Sequence, residues 1–312
     1  MSFPTVLVTS RFLMDQQAAW NDGWELLGPE DIQAGLPTEV AKRIQVLATD
    51  GEALDSSMVN ALPNLKLVAC FSTGYAGIDL GQLRTRGVTL TTAAGVNAHD
   101  VADHAIALML AWWHRIPAID RAVRDGKWRA AFQPRASLRG RRAGIAGLGR
   151  IGSQIARRAE ALGLSVSWWG PREKSGCAYT RAANLSSLAR ESDILFVAMR
   201  ATKANSGQID STVLRELGPQ GLLVNVSRGF LVDQPALIQA LESRSIAGAA
   251  LDVFAQEPAD GQTWRRFDNV VLSPHIAGYT QEAGSQLFGQ LRENIRCHFA
   301  GRPLLTPVND SL

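Results

Sequence analysis

Ala143-Gly144-Ile145-Ala146-Gly147-Leu148-Gly149-Arg150-Ile151-Gly152 opens the most informative stretch of this chain. A short run of small and apolar residues leads into G-x-G-x-x-G. Ile155, Ala156, Ala159 and Leu162 then recur at helical spacing, with Arg157, Arg158 and Glu160 between them, until Gly163 ends the helix before an apolar run at residues 164–169. Strand, glycine turn, helix and strand is the context that a dinucleotide fingerprint requires. A glycine turn alone also arises for packing, so the flanking strands carry the reading. The first glycine permits the tight turn, the second lets backbone N–H groups approach a pyrophosphate, and the third lets helix and strand pack closely. Gly147, Gly149, Arg150, Ile151 and Gly152 are therefore candidate cofactor contacts, with phosphate facing the positive end of the helix.

The 312 residues suit two domains better than one, since single cores stop growing at about 250–300 residues. With 46% hydrophobic and 20% charged residues the composition is that of an ordinary globular protein, and a net charge of +3 gives no argument for nucleic acid. Cys70, Cys177 and Cys297 are odd in number and lack C-x-x-C spacing, which points to a reduced, cytoplasmic chain. Met1-Ser-Phe-Pro shows no basic leader. The longest apolar run, residues 105–113, falls far below the roughly 20 residues of a membrane span. No metal site is expected, because His99, His104, His114 and His298 lack ligand spacing with acids or cysteines; they read as structural.

Apolar runs at residues 5–9, 44–48, 65–71 and 88–91 predict four strands of a small parallel α/β domain, with a polar helix near 38–43. Residues 99–116 read as one long helix that Pro117 ends, followed by an amphipathic helix over 120–128. The first is so apolar that burial between domains or against a second subunit is expected. Further strands follow at 193–198, 222–226, 247–253 and 270–272, with helices at 185–190, 234–242 and beyond 280. The expected fold is α/β, two doubly wound parallel-sheet domains. A Rossmann dinucleotide-binding domain, residues 98–281, is inserted into a smaller flavodoxin-like substrate-binding domain, residues 1–97 completed by 282–312.

Arg228, Glu257 and His275 stand just past strand ends in the second half. Singly they are unremarkable, and a lone histidine after a strand is commonly structural. Together, on a sheet that carries a dinucleotide, they supply what reduction of a 2-oxo acid requires. Arg pairs a carboxylate bidentately, His passes a proton to the carbonyl oxygen, and a carboxylate orients the ring from its other nitrogen. The ordered set Gly147-Leu-Gly-Arg-Ile-Gly152, Asn225-Val-Ser-Arg-Gly229, Leu251-Asp-Val-Phe254 with Glu257-Pro258, and Ser273-Pro-His-Ile-Ala-Gly278 resembles the D-isomer-specific 2-hydroxyacid dehydrogenases, as does Asp100-Val-Ala-Asp-His104. The resemblance covers nearly the whole chain. It implies Arg228 as the substrate-binding arginine, His275 as acid/base and Glu257 as its partner. It also implies Asp252 near the nicotinamide end, and the backbone amides of Thr73 and Gly74 on the substrate carboxylate.

Departures from the family pattern bear on substrate. Met199-Arg200-Ala201 replaces a proline-containing segment and leaves Arg200 unassigned, Ala98 replaces a threonine, and the loop 129–135 lacks a second tryptophan after Trp128. The resemblance implies reduction of a small 2-oxo acid, glyoxylate or hydroxypyruvate foremost. Formate oxidation is disfavoured by Glu257, where that branch carries glutamine. A nucleotide-sensing corepressor of the same fold is the alternative from another functional class, disfavoured because long tails for partner recruitment are missing. Where NAD-specific sites place an acid after the second strand, this chain has Gly170-Pro171-Arg172-Glu173-Lys174. Arg172 and Lys174 therefore point to NADP(H) in preference to NAD(H), with Glu173 as the one residue able to reverse that. A homodimer is expected from the apolar helix.

Overall fold

The computed structural model describes residues 4–51, 54–129 and 132–308. The expectation of no leader at Met1-Ser-Phe-Pro and part of the loop 129–135 fall outside them. The chain divides into two compact units, Met1–Asn97 with Thr280–Leu312, and Ala98–Tyr279.

In the first unit, β1 (Thr5–Val8), β2 (Glu25–Leu27), β3 (Val46–Thr49), β4 (Leu67–Cys70) and β5 (Thr89–Thr91) form a parallel sheet in the order β2-β1-β3-β4-β5. This is the flavodoxin-like order. Strands β1, β3 and β4 are buried at every residue, as apolar runs covered on both faces must be. One face packs Leu7, Leu47 and Val68 under Ile44 and Leu62. The other packs Val6 and Val8 against Trp20 and against Leu291 and Ile295 of the helix Gln281–Phe299, which completes the unit from the far end of the sequence. The second strand is not residues 44–48 as the apolar pattern suggests. Glu25–Leu27 precedes it at the sheet edge, too short and too polar to register as an apolar run.

The second unit holds β6 (Arg142–Ala146), β7 (Ser165–Trp169), β8 (Thr180–Arg181), β9 (Ile194–Val197), β10 (Leu222–Asn225), β11 (Gly248–Leu251) and β12 (Val270–Leu272). They make a parallel sheet ordered β12-β11-β10-β9-β6-β7-β8. The chain runs outward from β6 in both directions, so the strand order reverses beside β6, where doubly wound sheets bind their ligands.

One expectation for the helices is corrected. The long helix spans Ala98–Trp113, and Arg115 then adopts a left-handed conformation with φ 56°. Pro117 opens the next helix, Ile116–Arg124, instead of ending the first, because a proline in the first turn has no hydrogen bond to forfeit. The long helix packs on the sheet of its own unit. Val101, Ala105, Ile106 and Met109 share a core with Ile145, Phe196, Val224 and Ile155 of its own unit. The Trp112 indole N–H donates to the Asn269 carbonyl at 2.9 Å.

Candidate active site

Chain geometry at the end of β6 matches three separate glycine roles. Gly147 has φ 96°, and a Cβ built on it would stand 2.3 Å from Met199 Cα. At Gly152 a Cβ would stand 2.0 Å from the Gly147 carbonyl oxygen, so that helix and turn touch through backbone alone. A Cβ on Gly149 would meet nothing within 4 Å. Gly149 is also the N-cap of the helix Arg150–Ala161, and no side chain caps that end. The protein thus presents uncapped amide donors on an approachable surface, and these residues fit a dinucleotide pyrophosphate.

Beyond β7, Arg172, Glu173 and Lys174 are exposed. Lys174 Nζ donates to the Leu148 carbonyl, so its charge lies beside the glycine turn. Glu173 pairs with Arg181 Nη1 at 3.4 Å, while Arg181 Nη2 donates to the Gly170 carbonyl at 2.9 Å and the guanidinium lies 5.8 Å over the Trp168 ring. Arg181 was not anticipated from sequence. It sits on β8, a two-residue strand without an apolar signature.

Three loops converge at the ends of β10, β11 and β12. Arg228 follows β10 in a loop held by Asn225, whose side chain accepts from the Ser227 N–H at 3.1 Å and donates to the Arg228 carbonyl at 3.1 Å. The Ser227 hydroxyl donates to the Met199 carbonyl at 2.7 Å, which ties this loop to the residue under Gly147. A Cβ on Gly229 would fall 1.8 Å from the Phe254 carbonyl carbon, so the Arg228 loop lies directly against the segment leading to Glu257. Glu257 uses both oxygens. Oε1 accepts from the Phe254 N–H at 3.0 Å, and Oε2 stands 2.6 Å from His275 Nδ1. An ionised carboxylate only accepts, so it pairs with the proton on Nδ1 and leaves Nε2 facing outward on a ring that is 44% exposed.

Asp252, expected near the nicotinamide end, is 1% exposed, and its carboxylate is engaged by the loop after β12. It accepts from Ser273 Oγ at 2.6 Å and from the Ile276 and Ala277 N–H groups at 3.0 Å each. Its carbonyl accepts from the His275 N–H at 2.7 Å. His275 has φ 55°, uncommon for a residue with a side chain, and these bonds hold it there. Thr73 and Gly74 belong to the first unit, in the loop after β4, where the Ser72 hydroxyl donates to the Gly74 carbonyl. Among the described residues no group of three or more His, Cys, Asp or Glu is arranged to hold a metal ion, and no helix is long and apolar enough to cross a membrane.

Residues 106–277 match the family model for the NAD-binding domain of D-isomer-specific 2-hydroxyacid dehydrogenases. The chain is 40% identical over 264 residues to glyoxylate/hydroxypyruvate reductase A of Arabidopsis thaliana, covering 84% of each. Among solved structures it superposes on a 2-hydroxyacid dehydrogenase from Ketogulonicigenium vulgare Y25 with a TM-score of 0.89 and 35% identity, covering 99% of both chains. It matches an NADPH-dependent glyoxylate/hydroxypyruvate reductase from Sinorhizobium meliloti, solved with NADP and malonate, with a TM-score of 0.88 and 34% identity over 98% of this chain and 97% of that one.

Proposed function

The chain belongs to the D-isomer-specific 2-hydroxyacid dehydrogenases, and we propose that within this family it reduces glyoxylate, hydroxypyruvate or a similarly small 2-oxo acid to the D-2-hydroxy acid, with NADPH as preferred reductant. The observation that carries the reading is the 2.6 Å contact between His275 Nδ1 and Glu257, on the sheet whose β6 end carries the glycine turn. A bound nicotinamide supplies the hydride. Arg228 pairs with the substrate carboxylate, and the backbone amides of Thr73 and Gly74 are assigned to the same group by family resemblance. His275 Nε2 gives its proton to the carbonyl oxygen as that oxygen gains charge, while Glu257 holds the ring from Nδ1. Asp252 serves the cofactor end through the loop it anchors.

NADPH preference is supported by the missing acid after β7, by Arg172, and by the pairing of Glu173 with Arg181, which turns that carboxylate to a partner of its own. The small charge argues against nucleic acid as a ligand, and three free cysteines suit a reducing cytoplasm. The corepressor-like alternative takes second place because the relatives named above are reductases.

A panel of 2-oxo acids assayed with NADPH and NADH tests the reading. His275→Ala should lower kcat by about 10² or more with cofactor binding retained, and Arg228→Ala should chiefly abolish productive binding of the oxo acid. Near-normal turnover in either variant would remove that residue from its role, and cofactor binding without consumption of any 2-oxo acid would favour the sensor.

A further inference from the structure

His104 lies in the long helix Ala98–Trp113, whose first turns also carry Asp100 and Val101. Its Nε2 stands 2.8 Å from Ser273 Oγ, the first residue of the loop that carries His275. A serine hydroxyl has one proton, and here it points at the Asp252 carboxylate, 2.6 Å away, which offers only acceptors. Ser273 Oγ can therefore only accept from the ring. His104 must carry a proton on Nε2, and that N–H also faces Asp252 Oδ1 at 3.5 Å. The direction of every bond follows: His104 donates to Ser273, Ser273 to Asp252, and Asp252 accepts in addition from the Ile276 and Ala277 amides on the far side of His275.

We propose that His104, through Ser273, is a positioning residue for His275. It fixes the serine hydroxyl on Asp252 and so clamps both ends of the loop that holds the proton-donating ring in its left-handed backbone conformation. The inference rests on the assignment of His275 as proton donor. The conformation at φ 55° is uphill for a residue with a Cβ, so it persists only while its surroundings hold it. Proton transfer in turn demands that the ring be placed to within about 0.5 Å. Loss of the His104 donor removes one of the two hydrogen bonds on Ser273 Oγ, and the bond to Asp252 alone then fixes that hydroxyl at the start of the loop. A histidine that merely pinned helix to sheet would change stability without changing how His275 works.

Steady-state kinetics on the full chain separates these roles, with NADPH dissociation followed by tryptophan fluorescence. The variants are His104→Leu, His104→Gln, Ser273→Ala, His275→Ala and the double variant His104→Leu/His275→Ala, assayed with the 2-oxo acid that the wild type turns over best. His104→Leu should lower kcat about tenfold while NADPH dissociation stays within about twofold, the scale on which displacing a catalytic group acts. His104→Gln should recover most of that loss, because its amide N–H₂ stands in for Nε2–H. The double variant should be no slower than His275→Ala, since the effect of His104 passes through His275. Should His104→Leu not fold, Ser273→Ala carries the same expectation of reduced kcat with unchanged cofactor binding. Wild-type kcat in His104→Leu, failure of glutamine to restore it, or a double variant slowed by the product of both effects overturns the inference while a deficient His275→Ala leaves the proton-donor assignment standing. Undiminished turnover in His275→Ala overturns that assignment and this inference with it.

Discussion

A methyl group added at position 149 meets no protein atom within 4 Å, whereas one at 152 stands 2.0 Å from the Gly147 carbonyl. The same substitution therefore has opposite signatures at the two sites. Gly149→Ala should leave the thermal midpoint within about 2 °C while raising KM for the nicotinamide cofactor at least fivefold, because the methyl occupies the approach of the pyrophosphate. Gly152→Ala should instead destabilise by about 1–3 kcal/mol through overpacking. A cold-sensitive or unstable Gly149→Ala with unchanged KM would contradict the assignment of that face to the cofactor. At the ribose end, Arg172→Ala should lower kcat/KM for NADPH about tenfold or more and leave NADH within about twofold, as expected for loss of a charge-assisted pair with phosphate. A wild-type enzyme that favours NADH, or a variant that loses both cofactors equally, would remove Arg172 from phosphate recognition.

At the level of elements, Asp193 joins two neighbouring strands of the second sheet. Its carboxylate accepts from the Arg142 backbone N–H at 2.8 Å and from the Arg142 guanidinium at 3.2 Å, just where β6 and β9 begin. Burial pushes this carboxyl up, but the Arg142 side-chain and backbone hydrogen bonds and the Arg142 and Arg141 charges outweigh it, so its pKa is lowered from 3.8. A lowered carboxyl stabilises the fold fully above the unfolded value, and that stability is lost as pH falls through the folded one. Asp193→Asn should cost about 1–2 kcal/mol at neutral pH, discounted because Arg142 is half exposed, and its deficit should shrink as pH is lowered below 3.8. Thermal melts at neutral and acid pH check this; a deficit that does not change with pH would mean that the asparagine acts through packing. The strands were legible where burial on both faces forces an apolar run, as in Ile194–Val197 or Leu222–Asn225, and illegible where a strand is short and at an edge, as in Glu25–Leu27 and Thr180–Arg181. The candidate residues Arg228, Glu257 and His275 were legible as residue types past strand ends. What sequence spacing does not encode is which side chain engages which, so the loop that the Asp252 carboxylate holds and the pairing of Arg181 with Glu173 emerge only from the structure.

For the molecule as a whole, the helix Ile116–Arg124 is the feature that bears on association. It is amphipathic, yet none of its residues is buried; Ile116 is 54% and Val123 44% exposed. Its polar side is self-sufficient, with Arg124 donating to Asp120 at 2.9 Å one turn back. An apolar helix face is stable in water chiefly when something covers it. The long helix before it buries Val101, Ala105, Ile106 and Met109 on its own sheet, and residues 116–124 add an exposed apolar face to the argument for association. We expect a second copy of this chain as the cover, since a two-fold contact is the commonest way for one surface to bury itself. Sedimentation at micromolar concentration should give a dimer, and Ile116→Asp combined with Val123→Asp should shift it to monomer without unfolding either unit, because neither side chain contributes to a core. A wild-type chain that sediments as a monomer at about 10 μM, far above the Kd of a stable homodimer, would leave this helix face as solvent-exposed surface and end the case for a homodimer.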